Sequence, residues 1–247
     1  MQAIRATDGL DGHKLMSMAG LTSAAELEAA NADLDVAGPL HPLLPEGVAP
    51  GSTVVVGGSV ALALALVASL AGVERWVAGV GCGPVGLVAG RELGLGWDRL
   101  VLVEPPDRES WPTAVAATLD AFDIVMMRPL GRARERDIRR LMTRARERAT
   151  VLVGVETAGH CGAGWPGADV RLRVTGRHWE GLGEGHGYLR RRRVVVEASG
   201  RGRLAQGRRL ELWLPGTGGA VESITSPVAT TSPVSSDGTG MEERAVS

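Results

Sequence analysis

From Ser52 onward the chain alternates between short apolar runs and longer stretches with helical spacing. The runs Ser52–Val56, Arg75–Val80, Arg99–Val103, Asp123–Met127 and Thr150–Val155 predict strands. The stretches Ser59–Ala71, Gly86–Leu93, Trp111–Ala121 and Arg132–Arg148 predict helices. The strand runs are almost continuously apolar, as expected where both faces of a parallel sheet are covered. In the last helix, Ile138, Leu141, Met142 and Ala145 fall at i, i+3, i+4 and i+7 and predict one core stripe. The Arg and Glu residues around them fit i,i+4 pairs on a solvated face. Repeated strand–helix alternation predicts an α/β fold, doubly wound or RecA-like.

The flanks read differently. Ser23 and Glu26 fit a capping box that starts a short helix through about Ala30. Pro39, Pro42, Pro45 and Pro50 then forbid helix. After Glu156 the runs Val170–Val174, Arg191–Ala198 and Arg209–Leu214 predict antiparallel strands separated by Gly-rich turns. Residues 216–247 are rich in Ser, Thr, Gly and Pro and predict a disordered tail. Within it, Val221–Ile224 reads as linker in preference to a docking segment. The expected division is an N-terminal arm over 1–38, a core over 39–215 and a tail over 216–247.

Composition narrows the chemistry. Aromatic residues are 3% of the 247, so the core must be built from Val, Leu and Ala. Net charge is −1, which gives no global pull toward nucleic acid or a membrane surface. Lys14 is the only lysine, so lysine chemistry is nearly excluded. Two cysteines, Cys82 and Cys161, are too few for a disulfide framework and fit a reducing cytoplasm. Residues 1–18 lack the apolar stretch of a signal peptide. Thr53–Val73 carries no charge and is long enough to span a bilayer. Gly57 and Gly58 interrupt it and no basic cluster flanks it, so a buried strand, turn and helix is the reading, with no membrane partner.

Three places are candidates for chemistry. The turn Gly57, Gly58, Ser59 stands where nucleoside triphosphatases carry G-x-x-x-x-G-K-[ST]. The second glycine and the lysine are missing, so the phosphate loop is degenerate. Next, Gly81, Gly83 and Gly86 satisfy G-x-G-x-x-G between a strand and a helix, and Glu104 ends the following strand. An acid there can bond a ribose, which opens the alternative of a dinucleotide enzyme or an S-adenosylmethionine-dependent methyltransferase. Against it, glycines in a Gly-rich chain also serve simply to pack a helix on a strand, and a full strand–helix unit precedes this one.

The third is arginine-rich. Arg171, Arg173, Arg177, Arg190, Arg191, Arg192 and Arg193 are followed by Arg201, Arg203, Arg208 and Arg209. His178, Trp179, His186 and Tyr188 lie among them. The set suits a single-stranded nucleic-acid surface or a sheet edge protected by charge. Alternate arginines on one strand face opposite sides, so not all can line one groove. His160 and Cys161 are neighbours without zinc-ligand spacing, and no G-x-S-x-G elbow is present. No metal or cofactor is expected.

Residues 43–57 enter their strand as RecA-like proteins do. Residues 93–103, 121–129, 165–172 and 179–187 resemble the actinobacterial ImuA-prime proteins, RecA-like accessory factors of the mycobacterial DNA-damage mutasome. The resemblance covers roughly residues 40–215, and its last two segments are the most specific. It implies a non-catalytic protein that binds the Y-family-like ImuB and, through it, an error-prone C-family polymerase, in damage-induced mutagenesis and translesion synthesis. It also implies that Arg128 replaces the magnesium aspartate, and that Gly81-Cys82-Gly83 stands where a catalytic glutamate would follow. Arg128 is then expected as an internal counter-charge, for example to Glu104. The Gly81–Gly86 loop departs from the family by being more Rossmann-like. Strand order separates the two readings: a RecA-like sheet centres Ser52–Val56, a methyltransferase Trp76–Val80.

Overall fold

The computed structural model describes residues 33–83, 87–131, 133–156, 165–182 and 187–224. The elements are β1 (Thr53–Gly57), α1 (Val60–Ala71), β2 (Val77–Val80), α2 (Leu87–Glu92), β3 (Leu100–Val103) and α3 (Trp111–Leu119). They continue with β4 (Ile124–Met127), α4 (Glu135–Glu147), β5 (Val151–Glu156), β6 (Val170–Leu182), β7 (Gly187–Gly200), β8 (Arg208–Trp213) and β9 (Glu222–Ser223). All strands join one sheet in the order β3-β2-β4-β5-β1-β6-β7-β8-β9. Neighbours from β3 to β6 run parallel, and those from β6 to β9 antiparallel. The fold is therefore α/β, a mostly parallel sheet flanked by helices with an antiparallel C-terminal extension. Among the described residues, β1 is the fifth of nine strands and β2 lies next to the edge strand β3. This is the placement expected of a RecA-like sheet rather than a methyltransferase.

Alternation along β1 divides the core into two layers. Val54 and Val56 join α1 on one face, while Val55 joins α3 and α4 on the other. All five β1 residues are buried, which is why that run shows no polar alternation. Helix α1 is buried nearly all round, from Leu62 to Ala71. Its outer side is covered by the Pro-rich segment, through Leu34, Val36, Leu40, Leu43, Leu44 and Val48. Ser69 Oγ fixes that segment by accepting the Ala37 N–H at 2.8 Å. The uncharged stretch 53–73 is thus a buried strand, turn and helix. Among the described residues, no helix is long and apolar enough to cross a membrane.

Several expected boundaries shift. The core begins at Leu34, which bridges Val48, rather than at residue 39. At the other end Glu222 and Ser223 pair with β8, so order continues past residue 216. β6 is not purely antiparallel: Val54 to Gly57 pair with Val170 to Arg173 in parallel register. A one-face-polar pattern fixes which side of a strand is covered, not the direction of its neighbour. β6 and β7 are also longer than predicted. Gly176 and Gly181, which fall in the stretch expected as Gly-rich turn, sit instead at register shifts inside the hairpin. The expected helix at 23–30 lies outside the described residues.

Candidate functional site

In open α/β sheets, ligands bind beyond the carboxyl ends of the strands. Here those ends bring together Gly57–Ser59, Gly81–Gly83, Glu104, Arg128 and Glu156.

The turn after β1 has a nucleotide loop's position and different bonds. Gly58 adopts φ +83°, and its N–H donates to the Glu156 carbonyl at 3.2 Å. Its own carbonyl accepts a hydrogen bond from the Arg177 guanidinium. Ser59 is the N-cap of α1, and its Oγ accepts the Leu62 N–H at 3.2 Å. A phosphate loop turns its N–H groups and hydroxyl toward the ligand. In this chain the Gly58 N–H and a Ser59 Oγ lone pair are held internally, and a guanidinium stands at the turn. A methyl on Gly58 would meet Arg177 Nη2 at 3.0 Å.

The loop after β2 is also filled from within. Gly81 and Gly83 both have positive φ, +64° and +66°. The Gly81 N–H donates to the Val103 carbonyl at 3.0 Å. The Gly83 N–H donates to Glu104 Oε1 at 2.8 Å. In a dinucleotide site that N–H would face pyrophosphate and the acid would hold ribose. Here the two bond each other, and a carboxylate occupies the place an anion would take. Gly86, the third glycine of the pattern, lies outside the described residues. Arg128 approaches the same loop, since a methyl on Gly83 would meet its Nη2 at 3.1 Å. The expected Arg128–Glu104 pair is not among the described ion pairs, because Glu104 turns to Gly83 instead.

Cys82 is the site residue that sequence reading passed over, for a lone cysteine carries no spacing signal. It is buried between the Val80 and Met126 carbonyls, with Sγ at 3.6 and 3.7 Å from them. Burial, then the charge of Glu104, pushes its thiol up to about 12, with Arg128 opposing. It stays protonated at neutral pH and is no nucleophile. Among the described residues, no three His, Cys, Asp or Glu side chains gather as a metal-holding group.

The arginines are split by the sheet. Val55 and Gly57 pair with Arg171 and Arg173, which face an open cavity of about 600 Å³ shared with Glu156, Glu197 and Arg209. Arg191 and Arg193 share that side of the sheet, by alternation along β7 from Glu197. Arg177 and Arg192 lie on the opposite side, paired with Val194 and Trp179 respectively. The Arg171 guanidinium donates to the Trp165 carbonyl, which leaves it turned back toward the chain.

Residues 42–167, just over half of the chain, match the family described as the MT3502 N-terminal domain. No curated protein matches the chain.

Proposed function

The chain belongs to the MT3502 N-terminal domain family, and for this member we propose a non-catalytic role as a RecA-like adaptor. Its task is to support translesion synthesis and induced mutagenesis in the cytoplasm, by binding an ImuB-type partner and, through it, an error-prone C-family polymerase. The observation that carries the reading is the occupancy of both loops by the protein's own groups. Gly58 bonds Glu156 and Arg177, and Gly83 bonds Glu104. Nucleotide hydrolysis needs a lysine or equivalent cation on the phosphates, a magnesium ligand and a group that orients water. Here the loop carries no lysine, and Arg128 follows β4 where the resemblance puts the magnesium aspartate. The scaffold with this end closed still offers its other surfaces for binding, and the ImuA-prime resemblance supplies the partner.

The test is capture of a co-expressed ImuB-type protein by the tagged full chain. The expected result is co-purification that neither needs nucleotide nor changes when magnesium–ATP is added. Absence of capture in both tagging directions would sink the adaptor reading.

A further inference from the structure

Along its distal half the β6–β7 hairpin has two faces that differ in how their arginines are paired. On one, Arg191 pairs with Glu180 at 2.8 Å and stacks over Trp213, 3.9 Å from the ring centroid. Arg193 on that face pairs with Glu211. These two positive charges each have a carboxylate of their own.

The other face carries Arg177, Trp179 and Arg192. Arg190 joins them by alternation along β7 from Arg192. The hydrogen bonds of Arg177 and Arg192 run to neutral acceptors, the carbonyls of Gly58 and Leu214, the latter at 2.7 Å. None of the three arginines pairs with a carboxylate among the described residues. Arg192 lies 5.3 Å over the Trp179 ring. Burial, then the nearby charge of Arg177, pushes its guanidinium below the ordinary value. Two like charges close enough to repel are thus held with no carboxylate ion pair among the described residues. Trp179 is 40% exposed, and Tyr188, farther along the hairpin, is 85% exposed.

We infer that this face of the hairpin, carrying Arg177, Arg190 and Arg192, binds single-stranded DNA. Uncompensated guanidiniums attract phosphates, and each retains donors beyond the one it has used. Exposed aromatic rings beside them offer stacking surfaces for unpaired bases, which a duplex keeps stacked on one another. An acidic peptide would satisfy the charges and leave Trp179 and Tyr188 unused. The surface meets the strand ends at Arg177, which bonds Gly58, runs away from them along the hairpin, and does not require nucleotide. The choice of DNA over RNA rests on the damage-tolerance reading, whereas the stacking and phosphate contacts stand apart from it.

The experiment is fluorescence anisotropy of a labelled oligothymidine of about 15 nucleotides with the full chain, across a salt series. Saturable binding is expected, weakening as salt rises. Tyr188→Ala weakens it by about fivefold or more, and Tyr188→Phe restores it, because the ring and not the hydroxyl is needed. Arg190→Ala flattens the plot of log affinity against log salt by about 0.7. Arg193→Ala, on the opposite face and paired with Glu211, changes neither quantity. Thermal melts of each variant check that the fold is kept. No saturable binding at low salt, an equal loss from Arg193→Ala, full displacement by polyglutamate, or tighter binding of oligouridine would each overturn the inference. A chain that captures its protein partner and ignores oligothymidine overturns the hairpin alone. One that binds oligothymidine and no partner overturns the adaptor alone.

Discussion

A chain that begins at residue 49 is expected to accumulate as insoluble protein, while the full chain remains in solution. The described part of the segment it loses, from residue 33, has only a 3-10 turn at Gly38–Leu40 and the Leu34–Val48 bridge, yet it covers α1. Leu34, Val36, Leu40, Leu43, Leu44 and Val48 are each at most 4% exposed. Burial of such a side chain contributes about 1.5–3 kcal/mol, so together they supply on the order of 10 kcal/mol. That matches the whole net stability of an ordinary domain, about 5–15 kcal/mol. Removal would also uncover a helix with no polar side to turn outward. Sedimentation of the expressed protein and circular dichroism of any soluble fraction check this. A soluble truncated chain with a cooperative melt near that of the full chain would show that the segment is only a lid.

Trp165→Ala is expected to cost about 3–5 kcal/mol, the range for losing a buried aromatic side chain. Trp165 is 3% exposed and its ring lies directly on Gly154 in β5. A methyl at position 154 would meet three ring atoms within 2.9 Å. Gly154→Ala alone therefore overpacks the site and costs about 1–3 kcal/mol. The double variant should be less unstable than the sum of the two, because the added methyl enters the space the ring has left. Denaturant titration of the four chains measures the coupling. Strict additivity would mean that the ring moves aside freely and that the glycine is not there for it.

Much of this architecture is legible from residue order. Continuous apolar runs marked β1 to β5, and the spacing of Ile138, Leu141, Met142 and Ala145 placed α4 and its buried side. The Pro-rich segment gave no periodicity, so its role as the cover of α1 was hidden. The arginine surface was half legible. Strict alternation puts Arg171, Arg173 and Arg177 on one face. The extra residue at the Val174–Gly176 register shift moves Arg177 to the other, where it reaches Gly58. No local pattern announces such a shift, nor a contact between residues 119 apart in sequence. Likewise the acid at 104 was visible, but not that it would bond Gly83 rather than await a ribose.

The central claim is that the strand ends are closed by the chain's own groups. It is tested most directly by thermal shift of the full protein with magnesium–ATP, S-adenosylmethionine and NAD, each at millimolar concentration. A ligand held by the folded state at a hundredfold excess over its dissociation constant stabilises by about 2.7 kcal/mol, a shift of several degrees. The expected result is no shift with any of the three and no phosphate release from ATP. A concentration-dependent shift with magnesium–ATP, accompanied by hydrolysis, would contradict the account.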